Sequence, residues 1–131
     1  MLDFALKTHP ANVCLVPEKR EELTTEGGLD VINNYSNLSN IINKLERSKI
    51  RVSLFIEPNI KQIQMAKEAG ASAIELHTGA FANAATTACA QKELGVLKQA
   101  ASQAVGLGLR VNAGHGLNYN NVQPIAAIAD I

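Results

Sequence analysis

The sequence predicts an α/β fold of parallel strands, and two observations lead to that prediction. Short apolar runs of strand length alternate with segments of helical pattern, in the order α-β-α-β-α-β-α-β-α. Strands that alternate with helices pair in parallel through right-handed crossovers. Polar residues also follow the end of each predicted strand, as they do at the active-site end of a (β/α)8 barrel. The alternation alone also fits an open doubly wound sheet, but the polar strand ends favour half of a (β/α)8 barrel.

The first part of the chain predicts a helix, a strand and a loop. Residues 2–8 have a helical pattern that stops near Pro10, because the residue before a proline avoids the helical conformation. The apolar run 12–16 has the length of a buried strand. Residues 17–30 are rich in charge and contain a glycine pair, so we expect a loop there.

The middle of the chain predicts a helix, a strand and a second helix. Over 36–47 the aliphatic residues recur at helical spacing on one face, and Ser36 is placed to cap the first turn. The run 51–56 is rich in residues that favour strands. The next helix is expected to open at Asn59 and to stop at Gly70, because glycine readily ends a helix in the left-handed conformation.

The last part predicts two further strands, each followed by a helix. The strands are expected over 71–76 and 109–113. The long helical segment 86–105 is expected to be broken or strained at Gly95, since glycine weakens a helix interior. A final helix is predicted over 121–128.

Size and charge limit the class of protein. We expect a single domain over 1–131, because no linker or boundary is visible. Twelve basic residues balance twelve acidic ones, which argues against a nucleic-acid-binding protein. No apolar run approaches the ~20 residues of a membrane span, and no secretory signal pattern begins the chain. We therefore expect a cytoplasmic protein in which Cys14 and Cys89 are buried thiols.

Glu75 and His77 form a first candidate site. They are two residues apart in a predicted strand, so their side chains point to the same face of the sheet. A carboxylate at a barrel mouth can hold a substrate hydroxyl or stabilise a developing positive charge. The pattern fits a structural carboxylate–imidazole pair equally well.

A second set of candidates consists of His115 and, separately, the loop over 17–28. His115 lies between two glycines after the last predicted strand, where an imidazole suits acid–base catalysis and glycines let backbone N–H groups approach phosphate. The loop offers threonines, glycines, Lys19 and Arg20 to a phosphorylated ligand. The alternatives are an incidental histidine in a turn and a solvated charged loop.

A metal site is the third possibility. Glu75, His77 and His115 carry suitable donor atoms, but no motif places them together, so we expect no metal. His9, at the end of the first helix, is expected on the surface.

Four segments carry a resemblance to a known family. They are VCLVPEKREELTTEGGLDV at 13–31, VSLFIEP at 52–58, IELHTGAFAN at 74–83 and LRVNAGHGLNYNNVQPIAAI at 109–128. Together, in their order and spacing, they resemble pyridoxine 5'-phosphate synthase over essentially the whole chain.

The resemblance implies a cytosolic (β/α)8 barrel that assembles as an octamer. It implies the condensation of 1-deoxy-D-xylulose 5-phosphate with 3-amino-1-hydroxyacetone 1-phosphate to pyridoxine 5'-phosphate, inorganic phosphate and water. The implied partners are therefore phosphorylated small molecules, with no metal or organic cofactor and no nucleic acid or membrane.

The same resemblance implies four site roles. His115, in AGHG, matches a general acid, and Gly116 matches a backbone contact to the phosphate of the amino ketone. Glu75, in IELHTG, matches a carboxylate that stabilises the transition state. Thr24, the first threonine of TTEGG, matches a contact to deoxyxylulose phosphate.

By this resemblance the chain corresponds to strands four to seven of the family barrel. The family's elements on the other strands, including the presumed general bases, have no counterpart among these residues. We therefore expect a domain incomplete at both ends, with little synthase activity from these residues alone. The alternative is a non-catalytic half-barrel remnant or interaction module of the same family.

Overall fold

The computed structural model describes residues 1–18, 22, 24 and 27–131. The strands in this part of the chain are β1 (Asn12–Leu15), β2 (Arg51–Ile56), β3 (Ala73–His77) and β4 (Arg110–Gly114). The helices are α1 (Leu2–Thr8), α2 (Tyr35–Arg47), α3 (Ile60–Glu68), α4 (Gly79–Ala82), α5 (Thr87–Gly106) and α6 (Val122–Ala126). In the described part of the chain, none of these helices is long and apolar enough to cross a membrane.

The four strands form one parallel sheet in the order β1-β2-β3-β4. Strands that are consecutive in the chain are therefore neighbours in the sheet, whereas a doubly wound sheet reverses its strand order. Helices α2, α3 and α5 pack on strands β2, β3 and β4. This is the arrangement of half a (β/α)8 barrel, as predicted.

The two faces of the sheet differ in burial. On the face beneath the helices, Leu54, Ile74 and Leu76 are fully buried. On the opposite face Glu75 is half-buried and Asn112 is exposed. Because removal of apolar area from water is the main driving force for packing, the helix-covered face supplies the core. The opposite face is the one that faces the interior in a barrel.

Helix α2 begins one residue earlier than the sequence predicted. Tyr35 is its first residue, so Ser36 lies within the first turn and is not the cap. The residue at the cap position is Asn34, whose side-chain amide donates to the backbone oxygen of Asp30. The predicted cap at Ser36 is therefore wrong, because the preceding turn already supplies the first helical residue.

Helices α3 and α5 differ in how well the pattern predicted them. Asn59 caps α3 as predicted, since its side chain accepts from backbone N–H groups of the first turn. Gly70 follows the helix with φ of 94°, in the left-handed region that ends helices. The expected break at Gly95 is absent, and α5 is one continuous helix of 20 residues. A lone glycine costs only about 1 kcal/mol relative to alanine, which does not interrupt a helix packed on the sheet.

Several element boundaries differ from the predicted ones, and one helix was not predicted. Strand β3 lies two residues later than expected at its start, and α6 is shorter than the predicted segment 121–128. Helix α4 is a single turn directly after β3. It escapes prediction because its four residues, GAFA, show no helical periodicity.

The two cysteines are both exposed, which contradicts the prediction that they are buried. Cys14 points to the open face of the sheet, and Cys89 lies in the first turn of α5. Partial burial raises the pKa of the Cys14 thiol, and the nearby Glu75 carboxylate raises it further. The apolar neighbours of these cysteines along the chain therefore did not indicate which face each side chain occupies.

Candidate functional site

Polar and aromatic side chains meet where β2, β3 and β4 end. Glu57 follows β2, His77 ends β3 and His115 follows β4. The Nδ1 atom of His77 lies 3.8 Å from the Glu57 Oε1 atom, and both side chains are nearly buried. The imidazoles of His77 and His115 stack with centroids 4.6 Å apart and an angle of 24° between the rings. The carboxyl ends of the parallel strands thus bring three polar groups into one cluster.

The loop that carries Thr24 packs against the same strand ends. The Gly28 N–H lies 3.1 Å from Thr24 Oγ1 and 2.9 Å from Glu57 Oε1, and donates to both. A side chain at Gly28 would place its Cβ 2.7 Å from the Glu57 backbone nitrogen. Thr24 and Glu57 also line a cleft of about 440 Å³. Lys19 and Arg20, considered above as phosphate ligands, lie outside the described residues.

Glu75 lies two residues before His77 on β3, and its side chain is on the open face of the sheet. It is level with Phe55 on β2 and with Asn112 on β4. Its carboxylate occupies the space beside Gly114, where an added Cβ would lie 2.5 Å from Oε1. A side chain at position 114 would therefore require the Glu75 carboxylate to move. The carboxylate that lies 3.8 Å from His77 Nδ1 is that of Glu57.

The backbone at His115 has an unusual conformation, and hydrogen bonds from Thr78 and Asn121 stabilise the turn around it. His115 has φ of 88°, which non-glycine residues rarely adopt. The fully buried Thr78 hydroxyl lies 2.8 Å from the Gly114 oxygen and 2.6 Å from the His115 oxygen. The Asn121 side chain donates to the Gly116 oxygen across 3.1 Å. These contacts fix the turn that presents the exposed imidazole.

Replacement of Thr78 by valine is expected to lower the free energy of unfolding. Thr78→Val keeps the shape but removes the hydroxyl donor of the His115 carbonyl, at a cost of about 1–3 kcal/mol. The Gly114 carbonyl keeps its hydrogen bond from the Thr78 backbone N–H. Urea denaturation followed by circular dichroism measures the change. Thr78→Ser, which keeps the hydroxyl, is the matched control and should lose much less. A T78V variant as stable as wild type would contradict the assigned role.

Three residues of this cluster were not singled out as site residues from the sequence. Glu57 had a signal, because it is a polar residue directly after a strand. Phe55 had none, although its ring centroid lies 5.0 Å from that of His77 and 6.1 Å from that of His115. Thr78 bonds to groups 36 and 37 residues away, and such distant partners leave no trace in local pattern.

A metal site is not supported by the geometry. Among the described residues, no three His, Cys, Asp or Glu side chains are grouped so that they could hold a metal ion. Glu75, His77 and His115 therefore do not form the three-ligand site considered above.

Comparison with known proteins identifies the family of the chain. The model of the family described as "Pyridoxal phosphate biosynthesis protein PdxJ" matches residues 1–131. The chain belongs to the PdxJ family. The resemblance seen in the four sequence segments is thereby confirmed.

A curated relative shows how much of a PdxJ-family protein the chain represents. A curated "Pyridoxine 5'-phosphate synthase" from Magnetococcus marinus is 53% identical over 131 residues, which is 100% of this chain and 54% of that relative. The chain thus spans about half the length of the relative. The crystal structure of a xylose isomerase domain protein from Planctomyces limnophilus is similar with a TM-score of 0.59 at 13% identity, covering 98% of this chain and 54% of that one. That second similarity concerns the fold alone.

Proposed function

We propose that the protein carrying this chain is a pyridoxine 5'-phosphate synthase. It condenses 1-deoxy-D-xylulose 5-phosphate with 3-amino-1-hydroxyacetone 1-phosphate to pyridoxine 5'-phosphate, inorganic phosphate and water. The observation that supports the proposal is that strand ends of a PdxJ-family chain gather an exposed imidazole, a carboxylate and a threonine–glycine loop at one edge of the sheet.

His115 is proposed as the general acid. Formation of a C=N bond and the later dehydrations each expel an oxygen that must be protonated as it leaves. An imidazole is suited to such transfers near neutral pH. The ring is exposed, while its backbone is fixed by the Thr78 hydroxyl. It therefore combines access to substrate with a defined position.

Glu75 is proposed to stabilise positive charge that develops on the substrate nitrogen. Its carboxylate is half-buried, and a fixed charge in a site shielded from water acts more strongly than one in bulk solvent. It lies beside Gly114 of β4, the strand that leads to the turn with His115. The two groups thus belong to neighbouring strands of one rigid sheet.

Thr24 is proposed to contact 1-deoxy-D-xylulose 5-phosphate, and Gly116 to contact the phosphate of the amino ketone. Thr24 carries a hydroxyl that lies beside the Gly28 N–H, which also donates to Glu57. Gly116 has φ of 75°, and a glycine in a left-handed turn lets its backbone N–H approach an anion closely. The two contacts thus concern different substrates.

The remaining properties follow from the same proposal. The protein would act on phosphorylated small molecules in the cytoplasm, as an octamer, with neither metal nor organic cofactor. These properties stay predictions. The half-barrel remnant considered above is not favoured, because the curated relative that matches all 131 residues is named as a synthase.

Product formation tests the proposal directly. The purified natural protein is incubated with both substrates in the presence of EDTA, and pyridoxine 5'-phosphate and inorganic phosphate are quantified over time. We expect both to accumulate in equal amounts, and to depend on both substrates. A properly folded protein that releases neither product would refute the synthase activity. The 131-residue polypeptide made alone is expected to be inactive, because it presents an open sheet face.

A further inference from the structure

We infer that His77 is a positioning residue for His115, and that Glu57 links His77 to the loop of Thr24. The inference rests on the proposed function for its kinetic test. It concerns how the ring of the proposed general acid is held, and it follows from contacts between the described side chains.

The stack between the two imidazoles is the first observation. The rings are nearly parallel, 24° apart, with centroids separated by 4.6 Å. His115 is exposed and lies between two glycines, so its own backbone offers little to restrict rotation of the ring. The His77 ring stacks on it, and the Phe55 ring lies farther away, with centroids 6.1 Å apart. His77 therefore limits the orientations in which His115 can present its nitrogen atoms.

The position of His77 is itself well defined. Its Nδ1 atom accepts the Gly79 N–H across 3.2 Å and faces the Glu57 carboxylate at 3.8 Å. The side chain of His77 is only 10% exposed. Because Nδ1 accepts that hydrogen bond, a neutral His77 carries its proton on Nε2. The ring is thus anchored through one nitrogen while its face supports His115.

Glu57 joins this pair to the loop that carries Thr24. Its Oε1 atom accepts the Gly28 N–H and also faces His77. The same N–H reaches the Thr24 hydroxyl. A series of contacts therefore runs from Thr24 through Gly28 and Glu57 to His77 and the His115 ring. Its step between Glu57 and His77, at 3.8 Å, is an ion pair only when His77 is protonated.

Two substitutions at His77 separate stacking from anchoring. His77→Phe keeps a ring against His115 but has no acceptor for the Gly79 N–H. His77→Asn keeps an acceptor near the place of Nδ1 but has no ring. We expect kcat to fall in the order wild type, H77F, H77N, with H77N lower by about 10- to 100-fold, since a misplacement of about 1 Å can cost 10²-fold. The KM values for both substrates should change less than threefold. That corresponds to less than about 0.6 kcal/mol of the binding free energy that the ground state and the transition state share.

A second readout does not depend on activity. The imidazole proton resonances of His115, assigned with His115→Gln, should shift in H77N at constant pH because the ring current of His77 is lost, and should shift less in H77F. His9→Asn, the same change at an exposed histidine, should leave them in place. If H77N does not fold, H77Q takes its place, since it also lacks a ring.

The outcomes are distinguishable. Unchanged His115 resonances in the ring-free variant would overturn the positioning role, as would equal losses of kcat in H77F and H77N. If the wild-type protein has no synthase activity but the His115 resonances still shift in H77N, the positioning role is supported and the proposed function is refuted.

Discussion

Substitution of His115 by glutamine is expected to lower kcat about 10²- to 10⁴-fold, the usual contribution of a positioned general acid. Glutamine keeps hydrogen-bonding capacity but cannot deliver a proton in the working pH range. Because the proposed substrate contacts are made by Thr24 and the Gly116 backbone, the KM values should change far less than kcat. Steady-state kinetics with each substrate varied in turn measures both quantities.

The matched control for H115Q is His9→Gln. His9 is exposed at the end of α1, far along the chain from the strand ends, and its replacement should leave kcat within about twofold, as for most surface substitutions. Thermal unfolding of both variants should stay near that of wild type, since the His115 side chain is exposed. Full activity of H115Q would remove His115 from the chemistry.

Replacement of Glu75 by glutamine is expected to lower kcat about a hundredfold or more, in line with the loss of one electrostatic contact in a transition state. Glutamine has nearly the same shape, so the contact with Gly114 is kept and only the charge is removed. Glu68→Gln, at an exposed position in α3, is the control for removal of a negative charge elsewhere. An E75Q variant with wild-type kcat would exclude the proposed charge stabilisation.

The Cys14 thiol offers an independent measure of the Glu75 charge. The Sγ atom lies 4.0 Å from Glu75 Oε2, and the carboxylate raises the thiol pKa in addition to the effect of burial. In E75Q the pKa of Cys14 should fall, so at a fixed pH below that pKa more thiolate is present. Alkylation by iodoacetamide should then be faster at Cys14, because the thiolate is the reactive form. Cys89 serves as the internal reference, and an unchanged rate ratio would mean that the two groups do not interact.

The sequence predicted the strands and the site residues for different reasons. Strand β2 stands out because its residues favour strands and alternate between a buried and an open face. His115 and Glu75 stand out because barrel active sites are built at the carboxyl ends of the strands, although each residue also had a structural interpretation. The proposed roles of both residues, however, came from family resemblance.

The partners of each site residue required the folded structure. Glu75 and His77 share one strand face, and from that spacing alone they form a plausible pair. In the structure His77 faces Glu57, the residue directly after β2. The lateral pairing of β2 and β3 brings the ends of these two strands together. The exposure of Cys14 has a similar origin, since it depends on which face of β1 the helices cover.

The sequence by itself determined the alternation of helices and strands, the parallel sheet, the family and the residues with reactive side chains. These depend on local periodicity and on residue type, which are written along the chain. Only the tertiary structure decided that Thr78 holds the turn of His115, that Glu57 connects the Thr24 loop to His77, and that His77 stacks on His115. Those contacts join residues far apart in the chain, and they exist because strand register sets which side chains meet at the carboxyl end of the sheet.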